Sequence, residues 1–538
     1  MIRQTLDVYG APAALNRSRK SRYVSLAAAI ALLVTAAVWN AAANHRVWAP
    51  EETPIAFWTW HSQMPSQEAM SMAVDHTAAR TLFIRAGQID YESGEVQRIR
   101  AVSGSFPQDI DVHLVYNATK TCLAAFEKID PSALADAVAS AYAEDSRRAP
   151  DDDAHPVGVQ LDFDVPTRLL SRYTSVLRAL RPLLPSNMKL SITGLPVWMD
   201  SSELNETLAA ADFWIPQFYG ARIPERIDRA QPISSSRLVA AEVARARRMN
   251  RPFYAGLAAY GYAIQYAPDG SLIALRGDLD PALVANNEDL KLISRGPFEQ
   301  TIGAPKPGEW RYVYRARTDT VVAGTTIRKG DSLMLDLPTA ESLRATARAA
   351  REQGGDRLLG ICLFRLPQPS DATTLSIGEV AAALADRQPE SSFRIDVNVE
   401  ELDDKNLVGR RVTLTIFNAG AARSRMDDGA MLLGLTVPPG SVRAIRFRGF
   451  TSADFQCEAS ATDSQGNQST ILQPSSLRRA SVLIFRAKSW PPGASATATM
   501  EFSGAPPDTI RPILEFTLDD GRALQQYRTL DLNNATRQ

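Results

Sequence analysis

The sequence predicts an α/β fold, a (β/α)8 barrel of the TIM type over residues 50–388, followed by an all-β sandwich over residues 393–538. Eight short β-prone runs alternate with helical stretches, and such alternation favours a parallel sheet that eight strands can close into a barrel. Helical periodicity is then lost after the polar, proline-containing segment Asp386–Ser392, which is typical of a linker before an all-β domain.

The N-terminal residues precede this fold. A basic leader over residues 1–22 contains Arg17, Arg19, Lys20 and Arg22, and an uncharged run from Val24 to Ala43 follows it. Residues 23–43 are predicted to form either a signal peptide, cleaved near Ala43, or a membrane anchor that stays as one span. Both interpretations export the rest of the chain, since the cationic side remains in the cytoplasm. A cytoplasmic protein with a buried apolar helix is the remaining alternative.

The barrel strands and helices are predicted from β-prone runs and from apolar residues at helical spacing. The predicted strands are Ile55–Trp60, Thr81–Ala86, Val112–Asn117, Val157–Asp164, Lys189–Leu195, Phe213–Tyr219, Phe253–Ala258 and Leu359–Phe364. The predicted helices are Pro131–Asp145, Thr167–Leu180, Ser236–Met249 and Thr339–Glu352.

Between strands seven and eight the chain is much longer than elsewhere, which predicts an insert over about residues 262–338. Turn signals at Pro268-Asp269-Gly270 and Lys329-Gly330-Asp331 separate β-prone pieces at Trp310–Arg315 and Thr320–Val322. We expect this insert to form one wall of a cleft.

In the sandwich, the predicted strands are Phe393–Val399, Arg411–Phe417, Val442–Phe447, Ala480–Phe485, Ala496–Phe502 and Ile513–Thr517.

Composition narrows the classes of function. The chain has 538 residues, of which 45% are hydrophobic and 22% charged, so it is neither disordered nor a polytopic membrane protein as a whole. Lys plus Arg is 59 and Asp plus Glu is 60, so the net charge of −1 gives no reason to expect nucleic acid. Three cysteines are too few for a disulfide framework.

Strand four carries the strongest chemical signal. Strand side chains alternate between two faces, so Gln160, Asp162 and Asp164 share one face and Val159, Leu161 and Phe163 the other. The apolar set suits the helices outside, which points the polar set into the barrel toward its mouth. Asp162 and Asp164 are roughly 6–7 Å apart at Cα, and the repulsion between two carboxylates at that distance raises the pKa of one of them. A protonated acid beside an ionised partner is what glycosidic bond cleavage requires.

Aromatic and polar residues at the other strand ends fit a carbohydrate site, because aromatic faces pack on sugar rings and polar tips bind hydroxyls. The predicted substrate-binding residues are Gln160, Gln217, Trp58, Trp60, His61, Tyr116, Trp198, Tyr260 and Arg365, and the predicted catalytic residues are Asp164, Asp162 and Tyr219.

The run Gly158–Asp164 resembles the strand-four signature of family 18 glycoside hydrolases. The resemblance implies that Asp164 stands at the general acid and Asp162 at the acid two residues before it. Gln217 and Tyr219 fall on that family's strand-six Met-x-Tyr motif, whose tyrosine assists hydrolysis. Residues 50–390 are most similar to a bacterial family, domain of unknown function 3142, through "QLDFD" and "PQFYG". That second resemblance implies a fold and no reaction.

Three departures keep a second function open. Gln160 replaces the first acid of the family 18 run, Asp164 is one methylene shorter than the usual glutamate, and Gly220 replaces an aspartate. A general acid must reach its oxygen, so a non-catalytic polysaccharide-binding or envelope-assembly protein on the same barrel is the alternative to a hydrolase. The two acids would then be a buried ion pair with Arg85 or Arg365. A hydrolase of another bond type lacks a nucleophile–base constellation here.

The expected partner is therefore a carbohydrate substrate or ligand, outside the cytoplasm, in the periplasm or beyond, with or without an inner-membrane anchor at residues 24–43. No metal is expected, because the histidines show no metal-ligand spacing. No nucleic acid and no cofactor is expected either. The sequence names no protein partner.

Overall fold

The computed structural model describes residues 47–61, 64–104, 106–107, 110–147, 156–220, 224–277, 279–297, 310–368, 371–404, 407–462, 465, 468–503 and 507–532. Its first part is a closed barrel of eight parallel strands, which confirms the predicted fold class. The first strand pairs with both the second and the last, and this double pairing closes the sheet. The predicted leader and the segment 23–43 lie outside the described residues.

Eight strands precede the insert, and seven of them are barrel strands that agree with the predicted runs to within a few residues at most ends. The strands are β1 (Ile55–Trp58), β2 (Thr81–Glu92), β3 (Glu95–Ile99), β4 (Asp111–Ala118), β5 (Gly158–Asp162), β6 (Lys189–Gly194), β7 (Phe213–Pro216) and β8 (Phe253–Ala258). β3 was not predicted; it pairs antiparallel with an extension of β2 beyond the barrel wall.

Helices cover the outside of the barrel, and the four predicted ones are confirmed. The helices are α1 (Gln67–Thr77), α2 (Lys120–Ala125), α3 (Pro131–Ser146), α4 (Leu170–Leu180), α5 (Leu204–Ala209), α6 (Ser236–Arg248), α7 (Pro281–Asn286), α8 (Ala340–Gly354) and α9 (Ile377–Leu384). Side-chain caps start several of them, such as Asp130 ahead of Pro131 and Thr339 in a capping box. The helix α7 belongs to the insert and packs in a separate apolar cluster. The apolar faces of the other helices pack on outward-facing residues such as Val159, Leu161 and Phe163 in one continuous core.

The insert between barrel strands seven and eight is confirmed, and it consists of a five-stranded antiparallel sheet and a separate two-stranded one. Its strands are β9 (Tyr262–Tyr266), β10 (Leu272–Arg276), β11 (Leu290–Pro297), β12 (Trp310–Ala316), β13 (Thr320–Val322), β14 (Thr325–Ile327) and β15 (Ser332–Asp336), after which β16 (Leu358–Phe364) completes the barrel. Both predicted turns contain a glycine with positive φ, Gly270 at 85° and Gly330 at 89°. Tyr262 and Met334 of the insert pack with Tyr219 beside the barrel mouth.

The C-terminal part consists of two antiparallel sheets that share one apolar core, as the predicted all-β fold requires. The strands are β17 (Phe393–Asp404), β18 (Leu407–Asn418), β19 (Met431–Thr436), β20 (Val442–Arg448), β21 (Ser452–Thr462), β22 (Gln468–Pro474), β23 (Val482–Ala487), β24 (Ser495–Ser503), β25 (Thr509–Thr517), β26 (Ala523–Tyr527) and β27 (Leu530–Asp531). The six predicted strands are present; β19, β21, β22, β26 and β27 were missed.

The barrel and the C-terminal sheets are joined by buried polar contacts. Arg423 forms a two-bonded ion pair with Glu379 of α9, at 2.6 and 2.7 Å, and Glu379 is only 1% exposed. Tyr312 and Tyr314 of the insert bond the backbone of Met426. Removing one partner of a buried, hydrogen-bonded charge pair is costly, so these contacts hold the two parts in one arrangement.

Two further observations concern the environment of the chain. Within the described residues, which begin at Val47, no helix is both long enough and apolar enough to cross a membrane. All three cysteines are described and none forms a disulfide; Cys122 and Cys362 are buried.

Candidate functional site

The barrel interior is divided into an aromatic floor and a polar mouth. At the floor, the rings of Phe83, His113, Phe213 and Tyr254 contact one another at 4.7–6.2 Å between centroids. Burial lowers the pKa of His113 to about 4, so this ring is neutral. The next inward positions along each strand rise toward the carboxyl ends, where chemistry is sited in this architecture.

Asp162 lies at the mouth end of β5 and is fixed by neighbouring strands. Its Oδ1 accepts a hydrogen bond from Thr193 Oγ1 at 2.7 Å and a longer one, 3.5 Å, from Gln217 Nε2. Burial raises the pKa of Asp162, while the Thr193 hydrogen bond and the charge of Arg85 oppose that rise. Within the described residues Asp162 has no ion-pair partner, so the sealed ion pair considered above is absent.

Asp164 follows β5 on the same face and is open to solvent at the rim. The protein packed around this carboxyl withdraws part of its hydration, and the nearby charge of Asp162 adds repulsion; together they raise the pKa of Asp164 to about 7. Near neutral pH, Asp164 can therefore exist as a protonated acid. Within the described part of the chain it has no hydrogen-bond partner.

Arg85 projects from β2 into the same mouth. Its Nε donates to Asn117 Oδ1 at 3.1 Å and its Nη1 to the carbonyl oxygen of Trp60 at 2.9 Å. The guanidinium also stacks over the Trp60 ring, 4.4 Å from its centroid. Trp60, predicted as a sugar platform, is thus at the rim and is 37% exposed.

Tyr219 belongs to an aromatic wall opposite β2. It lies nearly parallel to Phe364, with ring centroids 5.9 Å apart, and edge-on to Tyr260 at the same distance. Burial raises the pKa of Tyr219 well above its ordinary value, so its hydroxyl is a neutral donor. That hydroxyl has no hydrogen-bond partner among described residues. Gly220 follows with φ of 65°, a left-handed conformation that favours glycine.

Gln160 and Trp58 lie one layer below the mouth. Trp58 Nε1 donates to Gln160 Oε1 at 2.7 Å, and Gln160 Nε2 donates to Ser191 Oγ at 3.3 Å. Both side chains are buried, Gln160 completely. They form a hydrogen-bonded bridge across the barrel that supports the mouth from beneath and does not itself line the rim.

Arg365 and His61 meet at one carboxylate that the sequence did not single out. Asp371, in the loop after β16, accepts two hydrogen bonds from Arg365, at 3.2 and 2.8 Å, and lies 3.2 Å from His61 Nε2. Arg365 is buried at 5% exposure, whereas the His61 side chain is 44% exposed. Arg365 thus orders the rim from a buried position, whereas the His61 side chain is accessible to solvent.

The structure does not bring Tyr116 and Trp198 to the mouth. Tyr116 faces the surrounding helices, where its hydroxyl donates to Asp145 at 2.8 Å. Trp198 is fully buried and its Nε1 donates to the carbonyl oxygen of Val165 at 3.1 Å. Trp198 therefore fixes the backbone next to Asp164 from behind. These two positions are corrected from substrate-binding to core and supporting residues.

Sequence reasoning missed several residues of the mouth. Thr193 could have been found, because the polar Ser191 and Thr193 alternate with the apolar Leu190 and Ile192 along β6. Arg85 was considered only as a partner for the acids. Asp371 lies in a loop with no pattern around it, so nothing in the sequence indicates its contacts. The catalytic roles of Asp162, Asp164 and Tyr219, and the binding roles of the other predicted residues at the mouth, stay predictions.

A family model described as a domain of unknown function, DUF3142, matches residues 126–283. That stretch contains both motifs on which the resemblance was drawn, so the resemblance is confirmed there. No curated protein matches the chain.

Three solved structures illustrate the structural similarities. The spore cortex-lytic enzyme SleL of Bacillus cereus is 13% identical, over 62% of this chain and 74% of its own, with a TM-score of 0.41. A chitinase from Chromobacterium violaceum is 15% identical over 62% and 100%, with a TM-score of 0.39. The GH18 chitinase ChiB of Flavobacterium johnsoniae is 13% identical over 62% and 94%, with a TM-score of 0.35.

Proposed function

We propose that this protein is a glycoside hydrolase that cleaves a polysaccharide by acid catalysis at the barrel mouth. The observation that carries the proposal is the pair of carboxyls at the mouth end of β5. Asp164 is exposed and its pKa is raised to about 7, and Asp162 is held by Thr193 and Gln217. Glycosidic cleavage needs a carboxylic acid that is protonated at working pH and a second carboxyl close by.

In the proposed reaction Asp164 donates its proton to the glycosidic oxygen as the bond between that oxygen and the anomeric carbon breaks and the leaving sugar departs. Water then forms the new bond to the anomeric carbon, and its proton restores the acid form of Asp164. Asp162 orients Asp164 or positions an acetamido group of the substrate. The Tyr219 hydroxyl and the Gln217 amide bind the reacting sugar, and the aromatic rings of Trp60, Tyr260 and Phe364 pack on sugar faces. Asp164 is one methylene shorter than a glutamate, so the sugar must bind correspondingly deeper for the proton to be in reach.

The test compares wild-type protein with Asp164→Asn on a panel of bacterial and plant polysaccharides, with released reducing ends as the readout. We expect the variant to lose at least about a hundred-fold in rate, the typical contribution of a general acid. Asp136→Asn, an exposed aspartate on α3, is the matched control and keeps full activity.

If wild type and Asp164→Asn cleave equally, Asp164 is not the acid. If neither cleaves any glycan but both bind one, the protein is the non-catalytic polysaccharide-binding protein considered from the sequence. Direct binding measured on both proteins therefore separates the two functions.

We further propose that the protein acts outside the cytoplasm. The support is the basic leader and the uncharged run Val24–Ala43, which are typical of export. N-terminal sequencing of the protein from its own cells, after separation of membrane and soluble fractions, distinguishes cleavage near Ala43 from a retained anchor. Recovery of an uncleaved chain in the cytoplasm would contradict export.

A further inference from the structure

Arg85 is a half-buried cation in the mouth, and no carboxylate of the described residues forms an ion pair with it. Asn117, the carbonyl of Trp60 and the Trp60 ring fix its Nε, its Nη1 and one face of the guanidinium. The other terminal nitrogen, Nη2, has no hydrogen-bond partner in the described part of the chain. A partly buried charge is unfavourable until it is paired, so this fixed donor is prepared for an acceptor that the chain itself does not supply.

The electrostatics around Arg85 favour an anion under the conditions in which Asp164 can act. Burial, and then the charge of Arg100, lower the pKa of Arg85, whereas Asp162 raises it. The guanidinium stays charged, because an arginine does not lose its proton in proteins. Both acids of the mouth hold protons more tightly than usual, so as Asp164 becomes protonated the repulsion of an incoming anion falls.

We infer that the glycan bound at this mouth carries an acidic substituent, a carboxylate or a sulfate, and that Arg85 recognises it through Nη2. This inference rests on the proposed function and names its class of substrate. A guanidinium held in one orientation binds a carboxylate with little loss of side-chain freedom. Trp60, still 37% exposed beneath Arg85, leaves part of its ring for the same sugar residue.

The competing explanation is that Arg85 only helps Asp162 to ionise. Under that explanation, replacing Arg85 would weaken every substrate equally and would move the pH profile. Under ours, the loss depends on whether the ligand is acidic. The two explanations therefore differ in the ratio of the affinity for an acidic ligand to the affinity for its neutral form. A change that weakens the binding of every ligand equally leaves this ratio unchanged.

The experiment measures binding by calorimetry to the full chain carrying Asp164→Asn, so that no ligand is cleaved. The probes are uronic-acid oligosaccharides, their carboxyl-reduced neutral forms and sulfated forms of the same backbones. Arg85→Ala and Arg85→Lys are each combined with Asp164→Asn. Arg80→Ala, an exposed arginine just before the start of β2, is the control for a lost charge.

We expect acidic members of a pair to bind more tightly than their neutral forms, and Arg85→Ala to weaken acidic ligands roughly ten-fold or more while neutral ones change less than about two-fold. Arg85→Lys should lie between, because it keeps the charge but not the fixed fork. The carboxylated and sulfated arms identify which acidic group is preferred.

Equal binding of neutral and acidic members, or equal weakening of both by Arg85→Ala, would overturn the inference. A neutral glycan that is bound and cleaved by the wild type would overturn it too, yet leave the proposed hydrolase intact. Absence of binding by every probe would also overturn the inference, whereas the hydrolase itself is decided by the polysaccharide panel with Asp164→Asn. Circular dichroism of each variant checks that Arg85→Ala is folded.

Discussion

The two ends of the barrel interior are built from the same strands but differ in what their side chains can do. The floor is a largely buried aromatic cluster in which His113 is neutral and its Nδ1 has no hydrogen-bond partner among the described residues. The mouth, one to three inward positions further along, holds two acids, an arginine and a tyrosine hydroxyl. Hydrogen bonds fix Asp162 and Arg85 there, and Asp164 is exposed. The difference teaches that position along a strand, more than residue type, separates stability from chemistry in this fold.

The largest effect should come from Asp162→Asn, at the mouth. The substitution removes the negative charge that helps to raise the pKa of Asp164, so the high-pH limit of activity should move below pH 7. We also expect kcat/KM to fall roughly a hundred-fold, because the acid loses its charged partner. A pH–rate profile measures both, with Asp111→Asn at the opposite end of β4 as control. An unmoved profile would show that the two carboxyls do not interact.

At the floor, Gly158→Ala should act on stability alone. An added Cβ would lie 2.0 Å from His113 Nδ1, so the aromatic cluster has to shift. We expect a loss of about 1–3 kcal/mol in the free energy of unfolding, measured by denaturant titration, with activity per folded molecule unchanged. Gly277→Ala, where a Cβ would meet no atom within 4 Å, is the matched control. Lost activity in folded Gly158→Ala would break the separation between floor and mouth.

Trp198→Phe tests a residue that belongs to neither end but supports the mouth. Losing the indole N–H leaves the Val165 carbonyl unsatisfied, at a cost of about 1–2 kcal/mol in unfolding free energy. Because Val165 adjoins Asp164, kcat should also fall several-fold while KM stays unchanged. Trp48→Phe removes a similar bond, 3.0 Å to the Gly355 carbonyl near the other end of the barrel, and should leave kcat as it is. Equal kcat in both variants would make Trp198 a core residue only.

The smallest effect should be a pH-dependent gain in stability from Asp164→Asn. The folded protein holds this proton up to about pH 7, whereas an unfolded aspartate releases it near pH 4. The stabilisation of the folded state by this bound proton is therefore fully present below about pH 4 and is lost as pH rises through 7. We expect Asp164→Asn to melt about 1–2 °C above wild type at pH 8 and not at pH 4, by calorimetry. A difference of the same size at both pH values would mean that Asp164 titrates normally.

The sequence predicted much of the architecture because its signals are local. Alternation along β5 and the residues after it correctly placed Val159, Leu161 and Phe163 outward, and the long connection between strands seven and eight correctly predicted the insert. β3 was missed because Glu95–Ile99 is a short, mostly polar run with no apolar alternation. In the C-terminal sheets, β22 was missed for a related reason, since all its residues are exposed and no buried face imposes a pattern.

What the sequence determined by itself was the barrel, the order of its strands and which residues end each strand, since these follow from periodicity within single segments. Only the tertiary structure decided which strand ends share a space. Tyr116 and Trp198 end or follow strands just as Trp60 does, but their rings point to the helices, whereas Arg85, Thr193 and Asp371 contribute from segments far apart in the chain. Hydrogen bonds and electrostatic interactions between such segments depend on distances in space. The residue pattern along one strand does not indicate which residues of other segments lie near it.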